Sequence, residues 1–185
     1  EYSGETGLFA TGGTYAYGGG YGLDASPDVE GEALYGMSHD TITVSQGDRI
    51  RFMQYVATGF GDEVCTLFGV QNPVSNSENY AVCLEQFGTP RMSLMKDVLN
   101  TDATGTQLDS ANVTFSDGWY EVLIDWQSGG DIDVSLYNSA GSLVATTTAN
   151  DTEYTSGSIG FTFYFNHGGW DSMVAWPRTD STPTV

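Results

Sequence analysis

Two adjacent segments in which apolar and polar residues alternate constrain the fold of this chain more than any other feature. In YEVLIDW, residues 120–126, the even-numbered positions carry Tyr, Val, Ile and Trp, and in DIDVSLY, residues 131–137, they carry Ile, Val and Leu. Successive side chains of a β-strand point to opposite faces, so each segment is predicted to be a strand with one apolar face. The turn SGG at 128–130 is short enough to join the two as an antiparallel hairpin.

The rest of the chain repeats this pattern of short strands separated by turns. Its 24 glycines and its many Thr, Ser, Val, Tyr and Phe residues favour strands and turns over helix interiors. We predict an all-β fold in one domain over residues 1–176, and the Pro, Ser and Thr of residues 177–185 indicate a tail or linker. The predicted strands lie near residues 14–17, 21–24, 32–37, 49–56, 63–71, 79–86, 91–96, 112–115, 119–126, 131–137, 142–148, 157–165 and 170–176.

The charge of the chain is strongly negative. Twenty-four Asp and Glu residues stand against five Lys and Arg, which gives a net charge of −19, and Lys96 is the one lysine. Such a surface repels itself at low ionic strength, whereas a Debye length of ~3 Å at 1 M salt screens most of the repulsion. The composition predicts adaptation to concentrated salt; an ordinary acidic secreted protein is the alternative. It also argues against nucleic acid and anionic membranes as partners, since phosphate binding needs basic groups.

The sequence points to an exported protein without membrane insertion. No apolar run approaches the ~20 residues of a transmembrane helix. No signal peptide is visible at Glu1, so we expect a mature product or an excised piece. Asn112 in NVT and Asn150 in NDT match the acceptor motif for N-glycosylation, which is compatible with a cell-surface protein.

The two cysteines, Cys65 and Cys83, lie in the strands predicted for residues 63–71 and 79–86. If the two strands pair so that the numbers of facing residues add up to 148, Cys65 faces Cys83, with Cβ atoms ~4.5 to 5.5 Å apart. We predict a disulfide, which would stabilise the fold by roughly 3 kcal/mol through closure of the loop. Two buried free thiols are the alternative.

Several segments of the chain carry a family resemblance. They are the run from Trp119 to Trp126 with DIDVSLY after it, AGSLVATTT, DTEYTSGSIGF, GWDSMVAWP, and upstream GDRIRFMQYV, LFGVQNPVSNSENYAVCLE and GGGYGLD. Together they resemble the concanavalin A-like lectin/glucanase superfamily, particularly the laminin-G-like modules of haloarchaeal surface proteins. The resemblance implies a jelly-roll sandwich of two antiparallel sheets with Trp119 and Trp126 in the core. It implies no single activity, since the superfamily contains lectins, adhesion modules, glycosidases, lyases and virion parts.

The resemblance also implies a structural calcium ion between the N-terminal segment and the last strand. Asp171 in WDSM matches the acidic ligand of the family, and the turn at Gly20 matches a position that donates a backbone carbonyl. Calcium takes six to eight oxygen ligands, so these two residues would supply part of the set. Family members usually begin with an apolar strand before a segment like EYSGETGLF, with which this sequence starts; without that strand, a sheet edge would be open to pairing with another chain.

Four acids of the predicted hairpin raise the question of glycoside hydrolysis. Retaining enzymes place two carboxyl groups about 5 to 5.5 Å apart and inverting enzymes about 6.5 to 9.5 Å. Glu121 and Asp125 are ~13 Å apart along their strand, and Asp131 and Asp133 ~7 Å apart with no recognisable partner acid. We interpret all four as the solvated outer face of the hairpin.

The sequence also gives little indication of catalysis by histidine. His39 and His167 stand in SHD and NHGG, which are typical of turns, and neither belongs to a motif such as G-x-S-x-G or H-E-x-x-H. No catalytic residue is therefore predicted.

Carbohydrate binding is the function that the residues favour most. Sugar rings stack on aromatic faces while their hydroxyls bond to amides, carboxylates and Arg. If strands 49–56, 63–71 and 79–86 are neighbours, they bring together the predicted sugar-binding residues Arg51, Tyr55, Gln71 and Glu85. Exposed aromatic residues are also ordinary cross-strand pairs in sheets, which is the alternative reading of Tyr55.

The sequence therefore predicts a noncatalytic carbohydrate-recognition or adhesion module of an exported, halophilic surface protein. Its partners would be a glycan or cell-surface polysaccharide, with other copies of itself or a larger surface protein as further candidates. The alternatives are a structural subunit of an extracellular filament or virion and, third, a glycosidase or polysaccharide lyase.

Overall fold

The structure is an all-β sandwich. It is a computed structural model that describes residues 2–4, 9–12, 22–25, 34–58, 63–72, 78–98, 105–164 and 168–178; up to residue 40, and at Tyr164 and Gly168, it describes the backbone alone. Its strands are β1 (Tyr2–Gly4), β2 (Phe9–Gly12), β3 (Gly22–Ala25), β4 (Leu34–Ser45), β5 (Asp48–Val56), β6 (Glu63–Val70), β7 (Tyr80–Glu85), β8 (Arg91–Lys96), β9 (Thr106–Asn112), β10 (Gly118–Trp126), β11 (Asp131–Tyr137), β12 (Leu143–Asn150), β13 (Ser156–Tyr164) and β14 (Gly168–Pro177).

The strands form two antiparallel sheets. Sheet A has the order β1-β4-β13-β6-β7-β8-β9, and sheet B has the order β12-β11-β10-β5-β14-β3-β2. Four consecutive strands, β6 to β9, form a meander in sheet A, and β10 to β12 form a second meander in sheet B. The described ranges contain no helix, and therefore none that is long and apolar enough to cross a bilayer.

The predicted hairpin is confirmed. Trp126 pairs with Ile132 across the turn, and the alternation puts Val122, Ile124 and Trp126 into the core. The strand predicted at 112–115 is wrong, because β9 ends at Asn112 and the chain then crosses to sheet B. The strand predicted at 14–17 lies outside the described residues.

Aromatic rings form the centre of the core between the two sheets. Trp126 of sheet B meets Phe68 and Tyr80 of sheet A edge-on, with ring centroids 5.3 and 5.7 Å apart. All three side chains are buried, and edge-on contacts of this kind add roughly 0.5 to 1.5 kcal/mol to the gain from burial. The prediction that Trp119 also belongs to the core is wrong: it pairs with Tyr55 on the outer face of sheet B, because odd-numbered residues of β10 face outward.

A buried network of three hydrogen bonds joins the two sheets across this core. Gln54 of β5 donates from Nε2 to the carbonyl of Val64 at 2.7 Å and accepts at Oε1 from Thr66 at 3.1 Å. Trp170 donates from Nε1 to the same Thr66 hydroxyl at 3.0 Å. Since buried polar groups are costly when unpaired, this network favours one alignment of the two sheets.

The outer face of sheet A is also buried over part of its area. A second apolar cluster lies there, on the side opposite Val64 and Phe68. A sheet desolvated on both faces makes any polar side chain on it energetically expensive unless the side chain is paired. The cluster consists of Cys65, Leu67, Val70, Ala81, Cys83, Met95 and Val98.

Close packing of β13 on β6 requires glycine at position 157. A Cβ atom there would lie 2.6 Å from the backbone oxygen of Gly69 and 2.6 Å from the nitrogen of Val70. We expect Gly157→Ala to lower the free energy of unfolding by about 1 to 3 kcal/mol, because neither backbone atom can give way without shifting β6. Denaturant unfolding of both proteins measures the difference.

The matched control is Gly129→Ala in the exposed β10–β11 turn, where an added Cβ atom meets nothing within 4 Å. Equal stability losses for the two variants would contradict the close approach of β13 to β6.

Candidate ligand-binding face

A row of three charged residues crosses the outer face of sheet A at one end of the meander. Glu63 of β6 lies opposite Glu85 of β7, and Glu85 lies opposite Arg91 of β8. Oε2 of Glu85 accepts from Arg91 Nε at 2.8 Å and from Nη2 at 2.6 Å. We call Glu63, Glu85 and Arg91 the acid–arginine row.

The disulfide lies directly beside this row. Cys65 pairs with Cys83 in the predicted register, and their Sγ atoms are 2.06 Å apart, so the predicted disulfide is confirmed. Oε1 of Glu63 lies 3.4 Å from Sγ of Cys65. A disulfide sulfur carries no hydrogen, so any hydrogen bond there requires a protonated Glu63 as the donor.

The environment keeps Glu63 protonated near neutral pH. Burial and, next, the negative charge of Glu85 raise the pKa of Glu63, Arg91 lowers it, and together they bring it to about 8. Burial raises a carboxyl pKa because low polarity disfavours the charged form, and a like charge acts in the same direction. The row therefore contains one neutral carboxyl, one carboxylate and one guanidinium.

Two buried polar atoms on this face have unused hydrogen-bonding capacity. Within the described part of the chain, Oε1 of Glu85 and Oγ of Ser93 have no hydrogen-bond partner, although Glu85 is only 8% exposed. Ser93 lies opposite Cys83, in the row next to Glu85. Buried polar atoms are nearly always paired in folded proteins, so these two atoms could bond to a water molecule or a ligand.

A cleft of about 340 Å³ opens beside the acid–arginine row. Its walls are the β7–β8 turn, the chain between β9 and β10, and the end of β5. The cleft meets the row at Asn112, which lies opposite Arg91 in the register of β8 and β9. The polar residues and the aromatic residue that line it are Thr58, Gln86, Thr89, Asn112, Thr114 and Phe115.

Hydrogen bonds hold the walls of the cleft together. Gln86 donates from Nε2 to the carbonyl of Ala57 at 2.6 Å. Thr58 donates its hydroxyl and, at 2.5 Å, its backbone N–H to Asp117, and these bonds lower the pKa of Asp117. Phe87, between two cleft residues in the β7–β8 turn, is 75% exposed. A large aromatic side chain so exposed, in the turn that forms one wall of the cleft, suits stacking against a sugar ring.

The four predicted sugar-binding residues do not come together. The assumption that strands 49–56, 63–71 and 79–86 are neighbours is wrong, because β5 belongs to sheet B whereas β6 and β7 belong to sheet A. Arg51 and Tyr55 lie on the outer face of sheet B and Glu85 on that of sheet A. Gln71 donates from Nε2 to the carbonyls of Gly69 and Ser156, a structural role at the end of β6.

The four hairpin acids lie on the outer face as predicted, and three of them, Asp125, Asp131 and Asp133, contact neighbouring side chains. Asp125 lies 3.3 Å from Nη2 of Arg49 and 3.5 Å from Nε of Arg178.

The two acids of β11 are exposed and also bonded. Asp131 accepts from Asn150 Nδ2 at 2.7 Å, and Asp133 accepts from Gln127 Nε2 and from the Thr148 hydroxyl, each at 2.7 Å.

The predicted calcium ligands are only partly within the described residues. Asp171 lies in β14 opposite Met53 and accepts at Oδ1 from the backbone of Ser172 at 2.6 Å. Gly20 lies outside the described residues, as does His167, and His39 is described by its backbone in β4. β3 pairs Asp24 with Gly169, so Asp24 and Asp171 occupy neighbouring positions in sheet B.

The two glycosylation motifs differ in their surroundings. Asn112 is exposed at the mouth of the cleft, whereas Nδ2 of Asn150 donates to Gly129 and Asp131. N-glycosylation replaces one of the two Nδ2 hydrogens, so modification of Asn150 would break one of these bonds; both acceptor sites remain predictions.

Sequence reasoning missed Glu63, Arg91 and Phe87. The register that it used for the two cysteines also places Glu63 opposite Glu85, since both pairs sum to 148. That arithmetic could have found the carboxylate pair, whereas the exposure of Phe87 depends on the turn around it.

Comparisons with known proteins identify the fold. No family model matches the sequence, and no curated protein matches it. The Ca²⁺/Man3GlcNAc-bound exoplasmic/lumenal domain of VIP36 has a TM-score of 0.67 at 13% identity, covering 99% of this chain and 87% of that one. The carbohydrate-binding module CBM66 from Bacillus subtilis has a TM-score of 0.63 at 12% identity, covering 91% and 94%. Lectin II from Ulex europaeus has a TM-score of 0.61 at 12% identity, covering 95% and 92%. The chain has the lectin-like, concanavalin-type sandwich that its sequence predicts.

The proton held by Glu63 makes stability depend on pH. The folded-state pKa of about 8 lies above the ordinary value of 4.5, so the folded protein retains a proton that the unfolded chain releases between these values. Stability from this group is full below about 4.5 and is lost as the pH rises towards 8. Because glutamine does not titrate, we expect the midpoint of thermal unfolding to fall less between pH 5 and pH 8 in Glu63→Gln than in the wild type.

Glu78→Gln, at an exposed acid outside the row, controls for the removal of a charge. If the curves for Glu63→Gln and the wild type run parallel over this range, Glu63 is not held protonated.

Proposed function

We propose that this chain is a noncatalytic carbohydrate-recognition or adhesion module that binds a neutral glycan at the cleft beside the acid–arginine row. The observation that carries this proposal is a cleft lined by the amides of Gln86 and Asn112. The exposed Phe87 follows Gln86 in the chain, and Arg91, whose side chain is 41% exposed, lies opposite Asn112 in the strand register. A ring platform beside planar hydrogen-bonding groups is what pyranose recognition requires.

Electrostatics favours a neutral ligand at this cleft. Glu85 offsets the charge of Arg91, Glu63 is neutral at pH 7, and the chain as a whole carries −19. In this arrangement Glu85 orients Arg91, and Arg91 and Asn112 donate to sugar hydroxyls. An anionic sugar would gain little from the neutralised guanidinium and would meet the repulsion of the remaining acids.

The setting that we propose is the surface of a cell in concentrated salt. The disulfide supports an oxidising compartment, since disulfides are rare where thiols are kept reduced. The charge of −19 supports a medium in which like-charge repulsion is screened. Fold likeness to lectins and to a carbohydrate-binding module supports the ligand class without naming a sugar.

A structural calcium ion is a further part of this proposal. Asp171 of β14 would supply a hard carboxylate oxygen of the kind that calcium prefers. Such an ion would tie the N-terminal segment to β14 and act on stability alone.

A glycan array in molar salt, followed by titration of the best neutral hit, tests the binding site. We expect Phe87→Ala to weaken binding by roughly three- to tenfold, the equivalent of an aromatic contact of ~0.5 to 1.5 kcal/mol. Leu143→Ala is the matched control, because Leu143 is an apolar side chain 57% exposed on β12 of the other sheet.

Two results would overturn the proposal. One is the absence of binding to every glycan on the array. The other is a loss of binding in Tyr55→Ala with none in Phe87→Ala, which would move the site to sheet B.

Removal of calcium tests the ion site separately. We expect a chelator to lower the midpoint of thermal unfolding of the wild type by several degrees, because a ligand that binds only the folded state stabilises it. Asp171→Asn should lower the midpoint in calcium and respond less to the chelator. Identical midpoints of the wild type with and without chelator would rule out a stabilising ion.

A further inference from the structure

Arg51 differs from the other basic residues that the structure describes. Four of the five cations of the chain are engaged by carboxylates, whereas Arg51 makes neither an ion pair nor a hydrogen bond within the described residues. The engaged pairs are Arg49 with Asp125, Arg91 with Glu85, Lys96 with Asp151 and Glu153, and Arg178 with Asp125. Within the part of the chain that the structure describes, Arg51 is thus a half-buried guanidinium without a partner.

The neighbours of Arg51 explain why it stays unpaired. Leu123 of β10 and Val174 of β14 lie directly opposite it, one on each side, and neither can neutralise a charge. Of the described carboxylates on that face, Asp125 is held between Arg49 and Arg178, and Glu121 and Asp171, one on each side of Met53, make no ion pair with Arg51. The guanidinium therefore lies among apolar side chains, where its attraction to an oxyanion is less weakened by water than at an open surface.

Aromatic rings continue the same face. Tyr55 lies four residues along β5 from Arg51, about 13 Å away at the usual rise, and its ring meets that of Trp119 edge-on with centroids 5.5 Å apart. Between them lie Met53, which is only 5% exposed, and the acids Glu121 and Asp171, one on each side of it. The face thus runs from a guanidinium, past a methionine flanked by two acids, to an aromatic pair.

We propose that the outer face of sheet B is a second glycan site, specific for a chain that contains uronic acid, in which Arg51 binds the carboxylate of one sugar. The planar fork of Arg matches a carboxylate through two parallel hydrogen bonds, which a neutral hydroxyl cannot form. Tyr55 and Trp119 contact a neighbouring sugar ring of the same chain, and Glu121 accepts from a hydroxyl between them. The span of about 13 Å calls for an oligosaccharide instead of a single sugar.

The net charge of the protein sets the condition for this binding. At low ionic strength a charge of −19 repels any anionic chain, whereas in molar salt the repulsion is screened and the short contact to Arg51 is weakened less. Binding of an anion to a basic surface weakens as salt is added. We expect the affinity for the acidic oligosaccharide not to show this decrease.

Calorimetric titration in molar NaCl tests the proposal, with a glucuronic acid tetrasaccharide and its carboxyl-reduced neutral counterpart as the two probes. We expect the wild type to bind the acidic form about tenfold more tightly, the equivalent of ~1.4 kcal/mol. Arg51→Gln should abolish the preference, and Arg51→Lys should retain only part of it, because Lys keeps the charge but loses the fork. Equal affinity of the wild type for the two probes, or no binding of either, would overturn the proposal.

Arg178→Gln is the matched control, since it removes a cation that lies on sheet B but is held by Asp125. A preference that persists in Arg51→Gln, or that disappears equally in Arg178→Gln, would show a general charge effect and refute a site at Arg51. Unfolding midpoints of the variants establish that each is folded. The neutral glycan of the sheet A cleft should not compete with the acidic probe, so either site can fail while the other stands.

Discussion

The register in which β6 pairs with β7 is the constraint on which the rest of the candidate face depends. The same alignment that sets Cys65 opposite Cys83 sets Glu63 opposite Glu85 two positions away. A slip of one residue would turn both carboxylates into the core and the core residues outward, which the buried interior forbids. The disulfide, the raised pKa of Glu63 and the position of Arg91 beside Glu85 therefore follow from one alignment.

Burial on both sides of sheet A gives this alignment its chemical consequence. Val64 and Phe68 face the main core, while Cys65 and Leu67 belong to the second apolar cluster on the other face. In such surroundings two ionised carboxylates side by side are strongly disfavoured. Glu63 therefore holds a proton, and Glu85 forms an ion pair with the guanidinium of Arg91. The result is a nearly neutral patch on a protein whose surface is otherwise acidic.

Much of the fold could be predicted from the sequence because strand pattern and turn chemistry are local. The alternation in residues 120–126 and 131–137 places Val122 and Ile124 in the core, and the SGG turn joins the two strands as expected. The cysteine pair could also be predicted, because a hairpin loop links its strands. Alternation alone locates Trp119 correctly, since its odd number puts it on the outer face; the family resemblance, which suggested the core, did not.

The pairing of strands distant in sequence could not be predicted in this way. The alternation of apolar and polar residues in β5 is compatible with a place in either sheet. In the structure, the turn at residues 46–47 leads the chain from β4 in sheet A to β5 in sheet B. This crossover separates Arg51 and Tyr55 from Glu85 and puts them beside Leu123 and Trp119. The sequence by itself determined the strands, their buried faces and the disulfide, because these depend on residue spacing along the chain. Only the tertiary structure decided which side chains share a surface, because packing between sheets selects among neighbours that local patterns leave equivalent.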